Sequence, residues 1–394
     1  MLLVTPFYAP AWEYGGIVRA TYEWTNAIAN LGVEVDVITT SAQGAFEGRD
    51  CYSAELRNVK VAYYRRLKWS GNLFLSLPLA RRCYQLSPNY DIVHSVGLWS
   101  FPSDISSLIA IRFGIPYIVS LHGMLMPIAL ARHGLRKSVM MRVLGRWRLA
   151  TADGVLCASQ VEKAEYDKLR IDDNARVIPN IVELPDTAPD RKRFRRENNL
   201  ENAFMMLFAG RLVAIKGLEY TIRAFSGVVE RHPRARLVIV GPTEGDHASA
   251  IKALVRSLGV DKVVLFKGML SGQEYWDTVA SADLLVLNSH SENFGLVVAQ
   301  AMGLGVPVLI SDRVGLADMV SHYQAGIVTK LEVADIRTSM CRALAGEVDL
   351  VAMGCRGKQL VANHFSASSV GEKFLDLLRD VLAKCTVPDT ARNT

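Results

Sequence analysis

The chain has 394 residues, half of them hydrophobic and 21% charged, with a formal net charge of +6. That length exceeds one compact core and points to two or three domains, and the charge is too slight to argue for nucleic acid as a partner. Cys51, Cys83, Cys157, Cys341, Cys355 and Cys385 are scattered without a Cys-x-x-Cys pair, so they read as reduced thiols and not as a disulfide frame or a zinc site.

The opening MLLVTPFYAP has neither a basic start nor a long apolar run and does not read as a signal peptide. Residues 2–6 begin as a strand, and a loop holding Gly15-Gly16 follows. Residues 17–31 carry Ile17, Ala20, Trp24, Ile28 and Leu31 on one helical face, with Gly32 as the stop. Strands are expected over 33–39, 91–94, 117–120 and 154–157. Short apolar runs alternating with helical stretches imply an α/β fold with a parallel sheet and helices on both faces.

A seam falls over 178–185, and the charged run 190–197 reads as a linker and then a solvated helix. The alternation restarts with strands over 205–209, 236–240, 263–266, 284–287 and 306–310. Two facing Rossmann-like domains follow, an N-terminal one over 1–183 and a C-terminal one over 184–367. Ligands of such sheets bind at the carboxyl ends of the strands, so the expected site is the interdomain cleft. The last helix, within about 368–394, is amphipathic through Val370, Phe374, Leu377, Leu378 and Val381. It has the pattern to pack on either domain, including back on the first. The longest uncharged stretch, 293–311, contains Gly303, Gly305 and Pro307 and reads as helix, turn and strand, not as a membrane span.

Two constellations in the second half carry chemistry. In the first, a strand ends at Gly210, and Arg211 and Lys216 precede a helix opening at Gly217. Cations beside a helix N-terminus suit a diphosphate, through charge and through free backbone N–H donors. The plain alternative is two ordinary surface cations. In the second, Ser289-His-Ser-Glu292-Asn293-Phe294-Gly295 leads into a helix that carries Gln300. Gly295 lets backbone approach a ligand, and the helix start offers a second anion site. A helix-capping role for Glu292 and a buried polar role for Gln300 are the plain alternatives.

Together these segments resemble the retaining glycosyltransferases of family 4, whose two domains form the GT-B fold. The matching residues are Gly210-Arg211, Lys216-Gly217, Glu292 to Gly295 leading to Ala301-Met-Gly-Leu-Gly-Val-Pro307, and Pro179-Asn180. In the first half they are Pro6 to Pro10, Gly15-Gly16, His94 and His122-Gly123. The resemblance spans essentially the whole chain, in order. It implies that Arg211 and Lys216 hold the diphosphate of a nucleotide-sugar and stabilise the charge that builds as the sugar leaves. It further implies that Glu292 contacts donor-sugar hydroxyls and that the backbone of Asn293, Phe294 and Gly295 helps hold sugar and phosphate. Gly15 and Gly16 would approach the phosphates, and His122 would sit near the transferred sugar.

One position departs from the family. Its usual pattern carries Glu at both ends of an E-x7-E spacing, and the second acid is associated with the nucleotide ribose. Here that position is Gln300. A carboxamide offers one acceptor group and one donor group where a carboxylate accepts from both hydroxyls. The family also implies retention of configuration, by a front-face route in which the departing phosphate helps take the acceptor proton. The chain has no Asp-x-Asp. With Arg211, Lys216 and helix ends available in place of a cation, no metal or other cofactor is expected beyond the nucleotide-sugar co-substrate.

Acceptor recognition is expected from the first domain, with Trp12, Tyr14, His94, Trp99 and 124–127 as candidates. From Ile105 to Ala152 there is no Asp or Glu, while Arg112, Arg132, Arg136, Lys137, Arg142, Arg146 and Arg148 are interleaved with apolar residues. The segment 124–148 suits an anionic membrane surface, or else a solvated helix face above a core face. The membrane reading implies a lipid-linked glycan acceptor, as in surface polysaccharide assembly (lipopolysaccharide, capsule or exopolysaccharide), and a cytoplasmic protein peripheral on the plasma membrane. Two other readings compete: a sugar-nucleotide epimerase on the same fold, and a non-catalytic nucleotide-sugar-binding subunit.

Overall fold

The computed structural model describes residues 1–41, 51–131, 134–171 and 174–386, with side chains as far as Lys384. Arg132 of the basic stretch, the Cys385 side chain and the chain beyond 386 lie outside the described residues. The chain divides into two compact units. The first takes in Met1–Ile181 and the C-terminal helix Ala367–Thr386; the second is Val182–Ser366.

In the first unit, strands β1 (Leu2–Thr5), β2 (Asp36–Thr40), β3 (Cys51–Leu56), β4 (Val59–Tyr64), β5 (Val93–Val96), β6 (Tyr117–Ser120), β7 (Gly154–Cys157) and β8 (Ala175–Val177) form one sheet. Their order is β3-β4-β2-β1-β5-β6-β7-β8. All neighbours are parallel except β3 and β4, an antiparallel pair at the edge. One antiparallel pair thus borders the parallel sheet expected from sequence. β1, β5, β6 and β7 are buried at every position, which is why they read as continuous apolar runs.

The helix Gly16–Asn30 buries Val18, Ala20, Trp24, Ala27 and Ile28. Its buried face is turned slightly from the expected one, with Ile17 half-buried and Leu31 just past the helix end and exposed. The C-terminal helix sends Val370, Phe374, Leu377, Leu378 and Val381 into the core that holds Trp24, Ile28 and Ile118. Its Gly371 rests on Ala27 and Leu31, where an added methyl would sit 3.3 and 3.1 Å from their side-chain carbons.

The second unit contains β9 (Phe204–Ala209), β10 (Ala235–Val240), β11 (Val264–Gly268), β12 (Leu284–Leu287), β13 (Val308–Ser311) and β14 (Gly326–Thr329), in the order β11-β10-β9-β12-β13-β14, all parallel. The charged run 190–197 leads into the short helix Arg193–Glu197, which is held to the unit by two of its residues. Phe194 is in the core, and Arg195 donates to the carbonyls of Ser281 (2.9 and 2.7 Å) and Ala203 (3.0 Å) and pairs with Asp283 at 2.6 Å. Asp190, Arg191, Lys192, Arg193, Arg196 and Glu197 are exposed. The stretch 293–311 contains the helix Leu296–Gly303 and strand β13. Among the described residues, no helix is long and apolar enough to cross a membrane.

Candidate active site

Each sheet reverses its order once. In the second unit the chain runs outward from β9 through β10 and β11, returns, and runs the other way through β12, β13 and β14. The loops after β9 and β12 diverge at that point, so their carboxyl ends open a crevice suited to a ligand. The residues singled out in the second half lie on these two loops.

After β9, Gly210 donates its N–H to Val240 O (2.9 Å), and the chain passes through Arg211 to the short turn Ala214–Lys216. Gly217 has φ +59° and caps the helix Leu218–Val229. A methyl at Gly217 would overlap the Asn288 carbonyl, so only glycine lets the two loops meet. His290 N–H donates to Ile215 O at 2.8 Å, a further tie between them. The contact brings the Lys216 ammonium onto the Glu292 carboxylate as a hydrogen-bonded ion pair, with side chains 16% and 21% exposed. Arg211 is exposed on the same loop.

The loop of Glu292 is fixed from behind. Glu292 N–H donates to Arg313 O (3.2 Å) and its carbonyl accepts from Gly315 N–H (2.8 Å). Gly295, at φ +91°, caps the helix Leu296–Gly303. The ring of Phe294 is spent on packing: it is buried in the core and meets Phe365 edge-on at 5.2 Å. Any ligand contact at Phe294 is therefore made by its backbone. Gln300, nearly buried on the same helix, accepts a hydrogen bond from the Tyr275 hydroxyl at 2.8 Å. The helix Gly272–Ser281 that supplies Tyr275 is not among the elements expected from sequence.

In the first unit the reversal lies between β1 and β5. The loop after β1 runs through Pro6 to Tyr14 and ends at Gly15 and Gly16, which open the helix Gly16–Asn30. Both glycines are exposed, and among the described residues nothing lies within 4 Å of an added Cβ. Beyond β6, His122 adopts the left-handed conformation, φ +49°. Its ring lies 4.9 Å from that of Trp24, and its buried Nε2 has no hydrogen-bond partner among the described residues. Burial holds His122 neutral, with its pKa lowered to about 4. Below it, Phe374 of the C-terminal helix meets Trp24 and His94 edge-on at 5.8 and 5.5 Å. His94 bonds Ser120 Oγ at 2.6 Å and is lowered to about 3, by burial and then by His122.

Glu162 was missed in the sequence. Fully buried, its carboxylate accepts from Gly123 N–H and from Ala158 N–H (2.7 Å), which pins the His122–Gly123 turn. A signal existed in Ser159-Gln-Val-Glu162, a capping pattern in which Ser159 Oγ accepts from Glu162 N–H at 3.1 Å.

The basic segment divides in two. Arg148 is no surface cation: it is fully buried, pairs with Asp104, and donates to Ser103 O (2.7 Å) and Ser107 Oγ (3.0 Å). That corrects its inclusion among residues offered to a membrane. Burial nonetheless raises the Asp104 carboxyl to about 6, with Arg148 opposing the rise. The remainder forms Gly134–Met140, one π turn Met141–Gly145, and Arg146–Thr151. Leu135, Val139, Val143 and Trp147 are exposed at intervals of four along it, beside exposed Arg136, Arg142 and Arg146.

Two family descriptions match consecutive parts of the chain: Glycosyltransferase Family 4 over residues 14–185 and Glycosyl transferases group 1 over residues 190–358. A D-inositol 3-phosphate glycosyltransferase of Actinosynnema mirum is 30% identical over 348 residues, 83% of this chain and 82% of that protein. An uncharacterized glycosyltransferase of Methanocaldococcus jannaschii is 39% identical over 139 residues, 35% of each chain. The Anabaena HepE structure, in complex with UDP and glucose, matches with a TM-score of 0.74 at 19% identity over 96% of this chain and 99% of that one.

Proposed function

Because the chain belongs to family 4 of the glycosyltransferases and has their GT-B fold, we propose that it moves a glycosyl group from a nucleotide diphosphate-sugar to an acceptor held by the first unit. The observation that carries this reading is the second unit's crevice. There Arg211 and the Lys216–Glu292 pair stand on the two loops that diverge from adjacent strands. Arg211 and Lys216 bind the donor diphosphate and stabilise it as leaving group, since fixed charge aimed at developing charge is usually the largest catalytic contribution. Glu292 accepts from donor-sugar hydroxyls, and the backbone of 293–295 and of Gly210 closes on sugar and phosphate. The solved relative that holds UDP supports a nucleotide donor.

His122 serves the transferred sugar as a neutral hydrogen-bonding group, which fits its unpartnered Nε2. Gly15 and Gly16 leave room for phosphate oxygens to approach. The sugar departs with retention, the diphosphate oxygen taking the acceptor proton on the same face. Arg211 and Lys216 take the place a divalent cation would fill, so the reaction needs no metal.

The acceptor is a lipid-linked glycan of surface polysaccharide assembly, and the protein works from the cytoplasmic face of the membrane. The exposed apolar stripe flanked by Arg142 and Arg146 supports this. A second reading, a soluble phosphorylated polyol acceptor, is favoured by the name of the Actinosynnema relative.

The test is incubation with a panel of UDP-, GDP-, ADP- and dTDP-sugars, followed by proton NMR of the released or transferred sugar. One donor is expected to be consumed by transfer or slow hydrolysis, with the anomeric configuration kept and the rate unchanged in EDTA. Epimerised donor, inverted product, or activity lost to EDTA and restored by Mn²⁺ would each contradict the corresponding part of the reading.

A further inference from the structure

The helix Leu218–Val229 opens on the second unit's crevice at Gly217, and its far end, about 18 Å away at roughly 1.5 Å per residue, borders another cavity. That cavity holds about 750 Å³ between the end of this helix and the helix Val333–Leu344. Arg231 and His232 come from the first side, and Arg337, Thr338 and Arg342 from one face of the second. No residue given a part in the reaction lines it.

Arg231, Arg337 and Arg342 are exposed. Helix C-termini favour cations, which accounts for Arg231 and Arg342 at the two helix ends. It does not account for Arg337, the fifth residue of its helix. Among the described residues the Arg231 and Arg337 side chains have no ion-pair or hydrogen-bond partner. Arg342 meets Glu347 at 3.5 Å, an exposed pair of little worth in water. The helix-end carbonyls are already taken by the chain itself. Val228 O accepts from Arg231 and His232 N–H (3.1 and 3.0 Å), Cys341 O from Ala345 N–H (2.8 Å) and Arg342 O from Glu347 N–H (3.0 Å). The guanidiniums are therefore not spent on capping.

Gly227 makes room for Arg337. It lies inside the helix Leu218–Val229 with no positive φ to demand glycine, where alanine is the better helix former. An added methyl would come within 2.9 Å of Arg337 Cδ and 3.3 Å of its Nη1. The bare backbone lets the Arg337 stem lie against this helix, which brings its charge to the same hollow as Arg231.

The volume falls within the roughly 300–1,000 Å³ of small-molecule sites. Glu230 and Glu347 are the acids that line it, and one of them is paired with Arg342, so cations are in excess. Among the described residues no Phe, Tyr or Trp lines it, which leaves no flat face for a base or a sugar ring. Guanidinium forks and the Thr338 hydroxyl suit phosphate oxygens, and cations on two separate helices suit more than one phosphate.

We propose that this cavity is a second anion site, which takes a compact ligand with two or more closely spaced phosphates on Arg231 and Arg337, Arg342 leaving Glu347 to join them. The inference goes beyond the glycosyltransferase reading and does not rest on it. Closely spaced phosphates occur on an inorganic chain and on a small polyol, so both are probed.

Calorimetry on the full chain uses inorganic triphosphate and glycerate 2,3-bisphosphate, with sulfate as the single-anion control. Each is also titrated into R211A/K216A, whose crevice has lost its cations. Both phosphate probes are expected to bind at least about tenfold more tightly than sulfate, and still to do so in R211A/K216A. R231Q/R337Q should weaken them at least about tenfold; both side chains are exposed, so folding is retained. Gly227→Ala should also weaken them, at an undiminished melting temperature, because alanine favours the helix while its methyl displaces Arg337. Whichever probe binds more tightly identifies the carrier as inorganic or organic. Affinity no better than that of sulfate, affinity unchanged by R231Q/R337Q or by Gly227→Ala, or binding lost in R211A/K216A overturns the proposal.

Discussion

Gln300 tests how donor affinity is set at a single side chain. Its carbonyl is already engaged by the Tyr275 hydroxyl, so what it turns to a ligand is its NH₂ group. A glutamate there would keep the Tyr275 bond and add a charged acceptor. Replacing a neutral hydrogen bond with a charged one changes binding by about 1–2 kcal/mol. Gln300→Glu is therefore predicted to tighten nucleotide binding about tenfold by calorimetry, and equal or weaker affinity would remove the ribose role. The sequence exposed Arg211, Lys216, Glu292 and His122 because each sits in a short local pattern at a strand end. It hid Tyr275 and Glu162 because their partners, Gln300 and Gly123, lie 25 and 39 residues away, and only packing joins them. Phe374 was legible as a core residue, but its place under Trp24 and His94 depends on where the last helix docks.

At the scale of elements, apolar runs buried on both faces announced most of the strands. β3, β4, β8 and β14 were not expected; β3 alternates between exposed and half-buried positions and so offers no continuous run. Helical periodicity likewise could not separate Arg148 from the other cations of its segment, since its burial comes from Asp104, Ser103 and Ser107 on another helix. What remains outside is a stripe. An α-helix advances about 100° per residue, so positions four apart drift by about 40°; the wider π turn at Met141–Gly145 takes up part of that drift and keeps Leu135, Val139, Val143 and Trp147 together. Co-sedimentation with phosphatidylglycerol vesicles is predicted to fall with salt, with R142S/R146S and with L135S/V143S. These side chains are exposed, so their replacement should leave folding intact. Retention of full vesicle binding by both double variants would remove the membrane role.

At the scale of the whole molecule, the chain builds the same device twice. Each unit is a parallel-type sheet that reverses direction beside its first strand, and each places its distinctive side chains on the loops that diverge there. Both sheets were legible because the alternation of strand and helix restarts after the seam. The contents differ in chemistry. The second unit's crevice holds Arg211, Lys216 and Glu292, whereas the first unit's holds aromatic rings with Arg136 and Lys137. The account depends most on the former. The most direct measurement is calorimetric titration of the full chain with the nucleoside diphosphate of its donor, UDP first, beside Arg211→Ala and Lys216→Ala. Loss of a charged hydrogen bond costs about 1.5–3 kcal/mol, so each variant should bind at least about tenfold more weakly at an unchanged melting temperature. Undiminished affinity in both, with the wild-type chain binding the same nucleotide, would contradict the assignment of these cations to the diphosphate.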